Sequence, residues 1–157
     1  MPLHPNWADL YEALAELHPQ AEAIVQGDRR ITWGEFDDTA ARIAAALRAW
    51  GVAAGARVAL FLFNGPEYLE LAVGAFKARA VPINVNFRYR GDEVRHVLTD
   101  SGADVLVFDA ALAGVVAELA AEGAVPARLV VVGGEAPSVA SAVGYATLVD
   151  EHEPAAA

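Results

Sequence analysis

Asn84, Asn86 and Arg88 are the residues of this sequence best suited to touch a ligand. They follow the short apolar run Val81–Val85, and polar groups at the carboxyl end of a strand face the crevice in which α/β sheets bind small molecules. Amide and guanidinium donors there can orient a carboxylate or a nucleotide. Turn formation explains the same residues as well, because asparagine side chains bond readily to nearby backbone. Lys77 can be imagined as a catalytic cation, but it stands at the end of a predicted helix, where a lysine complements the dipole.

The other titratable groups organise less well. Asp150, Glu151, His152 and Glu153 include metal-ligand types, yet adjacent residues on a tail hold no fixed coordination geometry, so they read as a solvated charge run. His4, His18 and His96 show no ligand spacing. Asp37 and Asp38 are helix neighbours that point apart and do not form a carboxylate pair. Gly133-Gly134 follows a strand without the Gly-x-Gly-x-x-Gly order of a dinucleotide site. On the residues alone, catalytic, cofactor-binding and metal-binding sets are all empty.

Composition bounds what such residues can serve. A chain of 157 residues suits one domain with a real core. Its formal charge of −10 opposes binding to nucleic acid, which draws on clustered Lys and Arg. The longest strongly apolar stretch, Val58–Phe63, is far below the ~20 residues of a membrane span, so a soluble chain is expected. Met1–Leu10 lacks the basic start and apolar centre of a secretory signal. The absence of cysteine fits a cytoplasmic setting.

The elements that must position these groups are legible in the pattern. Asn6 and Asp9 start a helix with Trp7, Leu10, Leu14 and Leu17 on one stripe, ending near His18-Pro19. Ala23–Gln26 and Arg29–Thr32 form a hairpin across Gly27-Asp28. Thr32-Trp-Gly-Glu35 is a capping box that opens a helix burying Phe36, Ala40, Ile43, Ala44 and Leu47. Strands follow at 58–63, 81–85, 105–108 and 129–132. Between them lie helices with inward faces Leu69, Ala72, Val73 and Phe76, then Val94, Val97 and Leu98, then Leu112, Val115, Val116 and Leu119. Gly133 to Gly144 reads as a loop and Tyr145–Val149 as a short helix. Alternating strands and helices predict an α/β fold with a parallel sheet flanked by helices. Residues 1–149 form one subdomain and 150–157 a tail or linker.

The order and spacing of several segments resemble the amino-terminal portion of the adenylate-forming (AMP-binding) superfamily, its acyl-CoA synthetases most closely. They are Thr32-Trp33-Gly34-Glu35, Gly51, Gly55-Ala56-Arg57-Val58, Asn64-Gly65-Pro66-Glu67 and Val81-Pro82-Ile83-Asn84. Two departures stand out: Ala56 replaces a frequent aspartate, and Arg79-Ala80 a frequent Ala-Gly.

The resemblance implies a fatty-acid-CoA ligase reaction. ATP, with Mg, activates a carboxylic acid to acyl-AMP, and CoA then takes the acyl group as a thioester. It also implies that the phosphate loop and catalytic lysine of a complete enzyme lie outside this sequence, so this chain is expected to need no cofactor and to be inactive alone. The expected partner is the remainder of the ligase, missing or separately encoded, with self-association through uncovered surface. A stand-alone α/β binding module, or one part of a split ligase, is the alternative.

Overall fold

The computed structural model describes residues 6–154; His4 and the last three alanines lie outside them. The first helix, α1 (Trp7–Leu17), is capped by a reciprocal box in which the Asn6 side chain accepts from the helix and Asp9 accepts from the Asn6 amide. Strands β1 (Glu22–Gln26) and β2 (Arg29–Thr32) form the expected hairpin, with Gln26 opposite Arg29 across a two-residue turn. Gly27 there takes φ +59, a conformation easy only without a side chain. The Thr32–Glu35 box then opens α2 (Trp33–Ala49), whose five expected core residues are all buried.

Strand β3 (Arg57–Phe61), α3 (Pro66–Lys77), β4 (Val81–Asn84), α4 (Gly91–Ser101), β5 (Val105–Asp109), α5 (Ala113–Ala121), β6 (Arg128–Val132), β7 (Val143–Gly144) and α6 (Tyr145–Asp150) complete the chain. β7 was not anticipated, since two residues carry no periodicity. β3 stops two residues early: Leu62 stays buried, but Phe63 turns out to 40% exposure.

All five strands of the larger sheet are parallel, in the order β4-β3-β5-β6-β7. The first connection runs to one side of β3 and the next crosses to the other, which is the doubly wound pattern. Alternation along each strand fills two cores. Val58, Leu60, Val105, Val107, Val130 and Val132 meet α2, α3 and α6, while Ala59, Phe61, Leu106, Phe108, Leu129 and Val131 meet α4 and α5. Both faces are thus covered, as continuous apolar strands require.

Two expected helix faces are rotated. In α1 the stripe Trp7, Leu10 and Leu17 is exposed and Leu14 only half-buried; Ala8 and Ala15 are buried instead. The reason is space, because small alanines let α1 lie close in the angle between α2 and α3. In α3, Leu69 is exposed and Ala72 and Phe76 half-buried, whereas Glu70, Leu71, Val73, Gly74, Ala75 and Lys77 are buried. Gly74 sets that rotation. A Cβ on it would lie 2.5 Å from Ile43 Cγ2 and 3.1 Å from the Ala40 carbonyl, so α3 presses its bare backbone onto α2. A satellite cluster of Ile31, Phe36, Ala40 and Val73, joined by Tyr11 and Trp33, ties the hairpin and α1 to this helix pair. The rings of Tyr11, Trp33 and Phe36 lie 5.9–6.1 Å apart, within the attractive range of tilted and edge contacts.

Gly74→Ala should therefore cost at least the ~1–3 kcal/mol of an overpacked core, with no backbone strain to blame. Urea denaturation followed by circular dichroism measures it; an unchanged midpoint would show that the two helices separate freely.

Candidate functional site

In doubly wound sheets ligands bind outside the carboxyl ends of the strands where the crossovers part to opposite faces, which in this order is between β3 and β5. The residues there come from the segments that leave the strands. After β3, the Phe63 ring packs against Phe87 at a 52° tilt with ring centroids 4.9 Å apart. After β4, Asn84 accepts a 3.1 Å hydrogen bond from the Tyr68 hydroxyl of α3. Asn86 accepts from the Arg88 amide at 3.0 Å, and the Arg88 guanidinium lies 4.7 Å above the Phe87 ring. Asn84, Asn86 and Arg88 thus share one exposed rim. Their contacts are those of a well-made turn, and Arg88 adds a charge lying on an aromatic face.

After β5, Asp109 accepts from the Ala111 amide at 2.8 Å. After β6, Gly133 and Gly134 take φ +80 and +154, conformations that favour glycine. The glycine pair faces a carboxylate, since an added Cβ on Gly133 would lie 3.5 Å from Asp109 Oδ2. A carboxylate there repels phosphate.

A second cavity, about 390 Å³, lies between the hairpin and the start of α3. Ile24, Val25, Pro66, Tyr68 and Leu69 make it largely apolar, and Gln26 and Asn64 give it a polar edge. The hairpin is held over it by Arg29, which donates to Glu67 at 2.6 Å.

Lys77 is the last residue of α3, as its position suggested, but it is buried there. Its side chain is 1% exposed and its ammonium meets Glu12 of α1 and Asp37 of α2, the latter at 2.9 Å in an ion pair without hydrogen-bond alignment. Asp38 turns away to Arg42 at 2.7 Å, as neighbouring helix residues must. The carbonyls that end α3 are taken by Asn6, 2.9 Å from Phe76 O, and Arg48, 2.6 Å from Lys77 O. Lys77 is a structural hub for three helices. His152 is likewise fastened, with Nδ1 3.0 Å from Leu148 O and its carbonyl accepting from Arg42 at 3.0 Å.

The profile of known AMP-binding enzymes matches residues 11–155. This chain belongs to that family. It is 40% identical over 124 residues to a medium-chain acyl-CoA ligase of Mycobacterium avium, covering 71% of this chain and 22% of that protein. It is 42% identical over 107 residues to a feruloyl-CoA synthase of Amycolatopsis, covering 68% of this chain and 22% of that protein. Among solved structures, an anthranilate CoA ligase bound to anthranoyl-AMP superposes with a TM-score of 0.91 at 21% identity, over all of this chain and 30% of that one. The last likeness speaks for the fold alone. The chain spans about a fifth of the length of these curated relatives, consistent with an amino-terminal piece of such a ligase.

Sequence reading missed the Phe63–Phe87 contact and the buried pair Glu70–Tyr145. Phe63 looked like the last residue of a strand. Glu70 is 4% exposed and accepts a hydrogen bond from the Tyr145 hydroxyl of α6. Burial pushes its carboxyl above the usual range, and the tyrosine bond only partly offsets this. Burial also raises the Tyr145 phenol, with Glu70 nearby adding to it. The hairpin cavity is not lined by either group.

Two substitutions test these buried charges. Lys77→Met should cost about 2–3 kcal/mol, below the roughly 3–5 of a fully buried pair because Glu12 and Asp37 keep 29% and 27% exposure. The triple variant Glu12→Gln, Asp37→Asn, Lys77→Met should regain most of it in chemical denaturation. For Glu70 the folded state holds its proton to higher pH than the unfolded chain, so stability falls as pH rises from about 4.3 through the raised value. Glu70→Gln should remove that decline from the pH dependence of Tm, and an identical slope in both proteins would contradict it.

Proposed function

We propose that this chain is the amino-terminal subdomain of an acyl-CoA ligase that activates a carboxylic acid with ATP and transfers it to CoA. Its part is to carry the sheet and one wall of the substrate crevice, with residues 1–149 as the subdomain and 150–157 leading out of it. Asn84, Asn86 and Arg88 form the rim of that wall. The phosphate-gripping loop, the magnesium ligands and the catalytic cation are supplied by the remainder of the ligase, on the same or another polypeptide. Its setting is the cytoplasm and its acid is a fatty or aromatic one.

The observation that carries this reading is the set of side chains at the carboxyl ends of the strands. Adenylation concentrates negative charge on the phosphates of ATP, and catalysis needs donors or cations aimed at it. Here the rim offers two phenylalanines, amides tied into turns and one arginine lying on a ring. The only glycine pair at the strand ends described above faces Asp109. Among the described residues no group of three His, Cys, Asp or Glu side chains is placed to hold a metal ion. These residues do not fit an ATP and magnesium site, and no catalytic step is derived from them. They do fit an apolar wall against which an acyl or aryl group can lie.

The chain alone is expected to give no ATP–pyrophosphate exchange with medium-chain, long-chain or aromatic acids, and no saturable heat on titration with Mg-ATP. Exchange above background with any of these acids would refute the proposal. Loss of a single oxyanion-type donor already costs ~2.7–4 kcal/mol of transition-state stabilisation, so a protein lacking the whole set should be silent.

A further inference from the structure

β7 and α6 are lightly held. Residues 133–142 join β6 to β7 without a helix or strand, and β7 pairs with β6 through two residues, Val143 opposite Val130 and Gly144 opposite Val131. α6 has six residues and one buried side chain, Leu148, with Tyr145 and Val149 partly buried beside it against α2 and β6. Segments that bury so little open locally before a domain unfolds. Polar contacts add to the docking: Arg42 donates to the His152 carbonyl, and the Tyr145 hydroxyl donates to Glu70 of α3.

We propose that the Glu70–Tyr145 contact is a pH-sensitive latch: β7 and α6 stay docked while Glu70 keeps its proton and open increasingly often as that proton is lost, with the rest of the sheet still folded. The surroundings of Glu70 supply the reason. Its side chain is buried, and the cations near it are engaged elsewhere. Arg29 of β2 attracts it but is bonded to Glu67, which stands one turn earlier on α3 and repels it. Lys77, two turns on, is held by Glu12 and Asp37. On α2, Arg42 is bonded to Asp38 and Arg48 to the Lys77 carbonyl; on β6, Arg128 lies 5.5 Å from the centroid of the Trp50 ring. α6 adds Asp150, and beyond it Glu151 and Glu153 are acidic while His152 turns Nδ1 to the Leu148 carbonyl.

An ionised Glu70 therefore gives up water for a single phenolic donor, and burial penalises that exchange. Its carboxyl is held above the usual range as a result. Burial raises the Tyr145 phenol as well, so the tyrosine remains a donor while Glu70 titrates. Opening α6 lets water reach the carboxylate, whose proton affinity then returns toward the ordinary value of about 4.3, and docking thus takes up a proton. Docking is strongest below about pH 4.3, weakens by at most about tenfold per pH unit up to the raised value of the docked carboxyl, and is level above it. The acid form is the docking form. This inference does not rest on the ligase reading.

Hydrogen exchange of the whole chain, read by mass spectrometry from about pH 5 to about pH 9 with each rate divided by the intrinsic rate at that pH, tests it. Peptides spanning 143–150 should lose protection several-fold as pH rises, while those from β5 keep theirs. Glu70→Gln, which keeps the shape and the tyrosine bond, should make the α6 protection independent of pH. Tyr145→Phe removes a bond that favours the ionised carboxyl, so its decline should extend to higher pH than in the parent chain. Protection of 143–150 that does not change with pH, or that falls equally in Glu70→Gln, overturns the proposal. So does protection that rises with pH, which would make the carboxylate the docking form. An equal loss in β5 overturns it too, since the whole domain would then be opening.

Discussion

The close approach of α3 to α2 at Gly74 governs the architecture of one whole face. With no side chain at that position, the backbone of α3 rests against Ile43 and the Ala40 carbonyl, and the rest of α3 is turned to suit. That rotation brings Lys77 inward to Glu12 and Asp37, and brings Glu70 inward to Tyr145. A lysine removed from water is tolerable only with its carboxylates in place. The triad therefore fixes where α1 can lie, and the tyrosine bond helps fix α6. One missing methyl group thus organises four helices around the β3 end of the sheet.

The opposite face obeys simpler rules. Val94 and Leu98 of α4 and Val116 and Leu119 of α5 bury against alternate strand residues, and among the described residues no charged side chain is buried there. The asymmetry has a chemical consequence. Buried ionisable groups cluster on the α2–α3 face as struts between helices, while the carboxyl edge of the sheet holds rings, amides and a stacked arginine. Perturbed carboxyl groups often mark active sites. Glu70 does not, because it is sealed between α3 and α6 rather than presented to a cleft.

Much of the fold was legible because local signals agreed with each other. The helix start at Asn6 and the capping box at Thr32 were found at their places, as were the turn at Gly27-Asp28 and the apolar strands. The helix faces of α1 and, apart from Val73, of α3 were not. Periodicity marks the larger apolar stripe, and both helices pack instead through their smaller residues, Ala8 and Ala15 in one and Gly74 and Ala75 in the other. Alanine and glycine carry little hydropathy signal, yet they permit the closest contact. Lys77 escaped for a related reason. Its partners are 65 and 40 positions away in the chain, so only tertiary packing joins them. The exposure of Asn84, Asn86 and Arg88 agrees with their place at the end of a strand, but the Phe63–Phe87 contact beside them depended on a strand ending at Phe61 rather than Phe63.

That early ending bears on what the crevice can accept. Had β3 continued, Phe63 would have pointed into one of the two cores; released from the ladder, it meets Phe87 and forms an apolar surface beside the switch point. An aromatic pair gains about 0.5–1.5 kcal/mol beyond its burial, which favours the contact between the two loops. Asp109 on the next strand repels anions from the same edge, and Arg88 is drawn onto the Phe87 ring. The preference of such a surface is for the uncharged body of an acid over the triphosphate that activates it. Our assignment of this subdomain to the acid-binding side of the reaction follows from that balance of charge and apolar area, and the polar chemistry has to be brought to it from outside these residues.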